Sequence, residues 1–161
     1  MDVHSTTGNT PAVAMHGVTK RFLDNVANDS IDFSVGVGEI CALLGENGAG
    51  KTTLMNILFG YYGADEGTIE VYGEPRTFTS PREAIAAGIG MVHQPFALVP
   101  THTVLENVVV GTGKGLFLDR AGARSRLEAL KERFRLSVPS DAPVWQLSIG
   151  EQQKVEILKA L

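Results

Sequence analysis

The stretch "GENGAGKT", Gly45 to Thr52, places glycine, glycine, lysine and threonine in the pattern G-x-x-x-x-G-K-T. Those residue types at that spacing suit a chain of phosphates. Glycines let successive backbone N–H groups turn inward and surround the phosphate oxygens. A helix starting near Gly50 aims its positive dipole end at the same place. Lys51 then reaches the outer phosphates, and the Thr52 hydroxyl is an oxygen ligand for Mg²⁺. The plainer alternative is a glycine-rich turn with a surface lysine. Context separates the two, because the phosphate reading requires a strand before the loop and a helix after it.

A second stretch, "LSIGEQQKVEILKAL" (147–161), carries two readings at once. Ser148-x-x-Glu151 is a capping-box pattern, in which the serine side chain binds the third helical N–H and the glutamate reaches back. The stretch is also suited to be half of a composite phosphate site whose other half lies on a second polypeptide. Glu151 is awkward there, since a carboxylate repels phosphate. The capping box resolves this by engaging the carboxylate with its own backbone.

The elements that must position these residues follow from periodicity. "AVAMHGV" (12–18) and "SIDFSV" (30–35) alternate as strands do. "EICALLG" (39–45) is continuously apolar, as expected of a strand buried on both faces. In "KTTLMNILFG", Leu54, Ile57 and Leu58 form a helix face that Gly60 stops. "GTIEVYG" (67–73) reads as a strand. "SPREAIAAG" (80–88) reads as a helix with Ser80 as N-cap, Pro81 at its first position and Glu83 closing a capping box. "IGMVHQ" (89–94) reads as a short strand. "THTVLENVVVG" (101–111) is a helix capped by Thr103 with Glu106, and "DRAGARSRLEALKERF" (119–134) an amphipathic helix with Leu127, Leu130 and Phe134 on one face. A two-proline loop (137–146) precedes the last helix. This order predicts an α/β fold with a helical addition: a disordered tail over 1–12, a core over 13–100 and a helical part over 101–161.

Composition bounds the alternatives. At 161 residues the chain is about one domain long and can bury roughly 70% of its unfolded surface. Its net charge of −4 argues against a nucleic-acid partner. Cys41 is the one cysteine, so no intramolecular disulfide forms, and its apolar neighbours predict a buried, inert thiol. No apolar run approaches the ~20 residues of a membrane span, and the N-terminus lacks the basic and apolar regions of a signal peptide. Any work at a membrane therefore needs another subunit to hold the chain there.

Four elements, "TKRF", "GENGAGKTT", "HQPFALVPTHTVLENV" and "LSIGEQQ", stand in the order found in the nucleotide-binding subunits of ABC transporters, which this chain resembles over nearly all of 13–161. The resemblance implies an α/β P-loop NTPase core with a helical subdomain. It implies ATP and Mg²⁺ as ligands, with Gly45, Asn47, Gly48, Ala49, Gly50, Lys51, Thr52 and Thr53 around the phosphates. Phe22 in "TKRF" implies an aromatic stacked on adenine, where the alternative is a core aromatic at a strand end. Gln94 implies contact with Mg²⁺ and the attacking water, so that it joins Lys51 in catalysis and Thr52 at the metal; the alternative is a solvated loop glutamine. His93 is assigned no role. Phe96, Leu98 and Val99 suit either contact with a membrane subunit or the core. Ser148, Gly150 and Glu151 stand where the family's LSGGQ signature touches ATP bound by a second domain, with Ile149 replacing a glycine and Glu151 a glutamine.

The resemblance is strongest to the ATPases of nucleoside and simple-sugar importers, often built of two tandem domains. It implies as partners a second nucleotide-binding domain, multi-span membrane subunits and, indirectly, a solute-binding protein, with the chain peripheral on the cytoplasmic face of the plasma membrane. In the family, the Walker B strand follows the signature helix and carries an Asp for Mg²⁺ and a Glu as general base; a switch His comes later. The sequence stops short of these, so it reads as an N-terminal fragment expected to hydrolyse little ATP alone. Two other functions share these motifs: a soluble tandem ABC protein acting on ribosomes or DNA, and a non-catalytic nucleotide-binding module.

Overall fold

The structure, a computed structural model, describes residues 10–93, 95–110 and 120–161. Gln94 and most of the expected N-terminal tail lie outside the described residues. Contacts divide the chain into two compact units between Ile89 and Gly90.

The first unit is built on a four-stranded antiparallel sheet in the order β2-β1-β3-β4. Strands β1 (Val13–Phe22) and β2 (Asn25–Val35) form a long hairpin through a tight turn at Leu23 and Asp24. Both are longer than alternation alone predicts. Pairing carries the ladder past the apolar core to the hairpin's exposed end, where Phe22 faces Asn25. Strand β3 (Glu66–Val71) pairs with the other edge of β1, and the short β4 (Glu74–Arg76), absent from the sequence reading, extends the sheet. Ala12, read from sequence as part of the tail, is tied into the sheet: its N–H donates to the Val35 carbonyl and its carbonyl accepts from the Tyr72 N–H. Ala14, Met15, Val18, Ile69 and Val71 are buried beneath these strands. Helix α1 (Lys51–Leu58) follows the glycine loop, and Leu54 and Ile57 are its buried face. Helix α2 (Pro81–Ala86) has Ser80 as N-cap, but the Ser80 side chain makes no capping bond. Glu83 instead takes the backbone N–H and hydroxyl of Thr79, the residue before the cap.

Two expected strands are not strands. Residues 39–45 and 89–93 have no regular structure. Ile40 is 98% exposed and Leu44 88% exposed, and the Cys41 thiol, expected to be buried, is exposed too. The physical reason is that a run apolar on both faces takes its hydrogen bonds and its cover from neighbours. Among the described residues no strand lies beside either segment, so the pattern is present without the ladder it needs.

The second unit is helical. Helices α3 (Val104–Val109), α4 (Arg120–Phe134) and α5 (Ile149–Ala160) surround a core of Val104, Leu105, Val109, Leu127, Val138, Val144, Leu147, Val155 and Leu158. Leu130 packs against this core, whereas Phe134 stays exposed at the end of α4. A short 3₁₀ turn, Val144–Gln146, leads into α5. Residues 90–100 group with this unit, and two side chains explain why. The buried Asn107 amide accepts from the Val99 N–H at 2.7 Å and donates to the carbonyls of Val99, His102 and Thr103. Lys159 of α5 donates to the Ala97 carbonyl at 2.6 Å. Leu98 packs against the helical core and Val99 is exposed, so the loop divides its apolar residues between core and surface.

Candidate nucleotide site

The glycine loop turns at Asn47 and Gly48 and hands over to α1 at Gly50. Gly48 and Gly50 both have left-handed backbones, φ +87° and +80°. At Gly50 glycine is required twice over, since a Cβ would also stand 2.1 Å from the Ala27 carbonyl of β2. Asn28 of the same strand donates from Nδ2 to the Gly50 carbonyl at 3.2 Å. Strand β2 thus forms the floor of the loop. At the start of α1 the first-turn N–H groups have no intrahelical partner and carry the positive end of the helix dipole. Lys51 Nζ donates to the carbonyls of Gly45 and Glu46, each at 2.8 Å, which folds the ammonium back over its own loop.

One cavity of about 350 Å³ joins this loop to the end of the hairpin. Asn47, Gly48, Ala49, Gly50, Lys51, Thr52 and Thr53 line one side, and Phe22, Asn25, Val26 and Ala27 the other. Phe22 is therefore not a core aromatic: it is 39% exposed and faces the space in front of the phosphate-type loop. The sequence separates Phe22 from Lys51 by a strand, a turn and a loop; the hairpin brings them to one cavity. Of the residues named from sequence for this site, the structure gathers all the described ones except Gly45. Gly45 touches the site through its carbonyl on Lys51.

The second stretch folds as its capping pattern predicts. Ser148 is the N-cap of α5, and the reciprocal box is complete. Glu151 Oε2 accepts from the Ser148 hydroxyl at 2.7 Å and the Ser148 N–H at 2.9 Å, while the Ser148 Oγ accepts from the Glu151 N–H at 3.4 Å. Those two donors, the hydroxyl first, hold the Glu151 carboxyl below the usual carboxylate range. Gly150 leaves open space where a side chain would stand, and Ile149 is 77% exposed beside it. This helix end presents a bare backbone to solvent with its nearest carboxylate engaged by its own cap.

Residues 28–161 match the family described as ABC transporter. The chain belongs to the ABC transporter family. A nucleoside import ATP-binding protein of Lactococcus lactis subsp. cremoris is 50% identical over 95% of this chain and 31% of its own length. A ribose import ATP-binding protein of Burkholderia thailandensis is 49% identical over 92% of this chain and 30% of its own. The chain thus spans about a third of the length of the curated relatives it matches. Among solved structures, the ADP conformation of an ATP-binding cassette of an ABC transporter aligns with TM-score 0.78 and 27% identity, over 93% of this chain and 64% of that one. A dimeric bacterial ABC transporter cassette aligns with TM-score 0.71 and 26% identity, over 92% of this chain and 68% of that one.

Of the two elements the loop motif calls for, the helix after it is present as α1 and the strand before it is not formed over 39–45, while the fold as a whole is that of the solved ABC cassettes. Thr52 lines the same cavity as Lys51, and its hydroxyl is a hard oxygen donor of the kind Mg²⁺ takes. Among the described residues no group of three or more His, Cys, Asp and Glu side chains could hold a metal by itself. Sequence reasoning missed two residues that touch the site's lining without lining the cavity: Asn28, which supports Gly50, and Tyr62, which packs against Phe22. Asn28 had a weak signal, because asparagine is disfavoured inside strands unless it has a specific partner. Tyr62, which packs edge-on against Phe22, had none.

Proposed function

We propose that this cassette binds ATP with Mg²⁺ in the Phe22–Lys51 cavity and that the protein it serves hydrolyses ATP to import a nucleoside or simple sugar. The observation that carries the reading is the one cavity shared by an exposed aromatic and the glycine loop. An aromatic face binds a base by stacking and an N–H cradle binds phosphates, so the two ends together describe a nucleotide. In this reading Phe22 stacks on adenine, the loop from Gly45 to Thr53 surrounds the phosphates, Lys51 neutralises charge that develops on the outer phosphate, and Thr52 and Gln94 attend the ion. Ser148 and Gly150 meet the phosphate of a second cassette, and Glu151 holds the cap.

The import side rests on relatives whose names describe nucleoside and ribose import. Those names favour transport over action on ribosomes or DNA. The solved dimeric cassette supports pairing with a second nucleotide-binding domain. No helix among the described residues is long and apolar enough to cross a membrane. The proposal therefore places the cassette on the cytoplasmic face of the membrane, held there by multi-span subunits that a solute-binding protein supplies.

The test is ATP binding and turnover by the intact protein reconstituted with its membrane subunits. Lys51→Ala is expected to cut turnover by about a hundredfold or more, as loss of a transition-state charge contact does. ATP turnover should also rise when a nucleoside or ribose is transported. Unchanged turnover in Lys51→Ala, or no ATP binding by the intact protein, would overturn the reading.

A further inference from the structure

Behind the Phe22 platform stands a second aromatic that no motif announces. The rings of Tyr62 and Phe22 lie 5.3 Å apart between centroids, with their planes at 80°. Tyr62 belongs to the segment that closes α1: its neighbour Tyr61 donates its N–H to the Asn56 carbonyl of that helix at 2.9 Å. Helix α1 begins at Lys51. A single stiff run therefore carries the phosphate-facing lysine at its start and Tyr62 just past its end.

Further along the same segment, Asp65 fastens the strand that carries Phe22. Its Oδ1 accepts from Lys20 Nζ at 2.8 Å and its Oδ2 from the Arg21 N–H at 2.7 Å, while its own N–H donates to the Thr19 carbonyl at 2.9 Å. Lys20 Nζ also lies 5.5 Å from the centre of the Phe22 ring. The end of β1 is thus tied, residue by residue, to the segment that closes α1.

We propose that Tyr62 is a positioning residue of the nucleotide site, holding the Phe22 ring at a set distance from the Lys51 cradle. This rests on the reading of the cavity as a nucleotide site. The physical reason is preorganisation. Phe22 is part exposed at a hairpin end, so without a ring against it the side chain can change rotamer, and binding a base must order it at a cost. Edge-to-face aromatic pairs are worth enough to select one orientation. The Lys51 end needs no such help, because Gly50 and Asn28 already fix the loop against β2. Loss of Tyr62 therefore penalises a ligand that uses both ends and spares one that uses only the cradle.

The experiment measures equilibrium binding of ATP and of inorganic tripolyphosphate to the intact protein, to Tyr62→Leu and to Tyr62→Phe. Tyr62→Leu is expected to weaken ATP about three- to tenfold, the scale of one aromatic pair, and to leave tripolyphosphate unchanged. Tyr62→Phe should bind ATP as the natural protein does, because the ring and not the hydroxyl makes the contact. Tyr62 is itself part exposed, so removing its ring opens no core cavity. Unchanged ATP affinity in Tyr62→Leu, an equal loss for both ligands, or no rescue by phenylalanine would overturn the proposal. A natural protein that binds tripolyphosphate but not ATP would overturn the nucleotide reading itself, and this inference with it.

Discussion

Ser148 holds two jobs within one side chain. Its hydroxyl donates to Glu151 and its oxygen accepts from the third helical N–H, so the cap is made without any ligand. In the reading proposed above, the Ser148 hydroxyl turns to the phosphate of a second cassette while the Glu151 carboxylate keeps the Ser148 N–H. The glutamate is thereby explained as part of the cap rather than as a repulsive neighbour of the phosphate. Ser148→Ala removes the oxygen that accepts the Glu151 N–H and should lower unfolding stability by about 1 kcal/mol, the usual worth of an N-cap. Urea unfolding followed by circular dichroism checks this, and an unchanged midpoint with unchanged slope would count against the cap. The serine was readable from its spacing to Glu151. Asn28 was not, because its task, to support the Gly50 carbonyl, exists only once β2 runs beneath the loop.

Within the helical unit, exposed carboxylates that accept hydrogen bonds add a pH-dependent increment to the apolar core. Glu106 takes the backbone N–H of Thr103 in a second capping box. Glu128 binds Lys131 and Ser140, Asp141 binds Arg124, and Glu151 closes its own cap. All four carboxyls lie below their ordinary range, in each case chiefly because a donor favours the charged form. The sign of the pH dependence follows. A carboxyl with a depressed folded pKa adds stability above its unfolded pKa, about 4, and loses it as pH falls through the folded value. Urea midpoints of the helical unit should therefore hold from pH 7 to about pH 5 and decline modestly below pH 4, since these carboxylates are exposed and screened. The double variant Glu106→Gln/Glu151→Gln should show a shallower acid drop; an acid limb as steep as that of the natural chain would refute the assignment. The two capping boxes were legible as S/T-x-x-E. The Ser80–Glu83 pattern was equally legible and formed differently, because Thr79 offers both an N–H and a hydroxyl to the same carboxylate.

At the scale of the whole molecule, the apolar run from Ile40 to Leu44 is the feature most at odds with its pattern. It reads as a central strand and stands in solvent. Exposed contiguous apolar backbone with free N–H and C=O groups is a template for association between copies. The 161-residue chain is expected to self-associate at micromolar concentration, and the double variant Ile40→Lys/Leu44→Lys to remain monomeric by light scattering. A natural chain that stays monodisperse would remove this run as an association site.

Residue type over short spans was enough for the local elements. The glycine loop with Lys51 and Thr52, the helix after it and the two capping boxes are decided by residue type over a few positions, through backbone freedom, dipole and short-range hydrogen bonds. What lies across distance came from the fold. It brought Phe22 to the loop's cavity through the β1–β2 hairpin, set Asn28 under Gly50, placed Tyr62 behind Phe22, and left 39–45 without a ladder. Each of these depends on which neighbour arrives, because a strand's hydrogen bonds and a ring's packing partner come from remote parts of the chain.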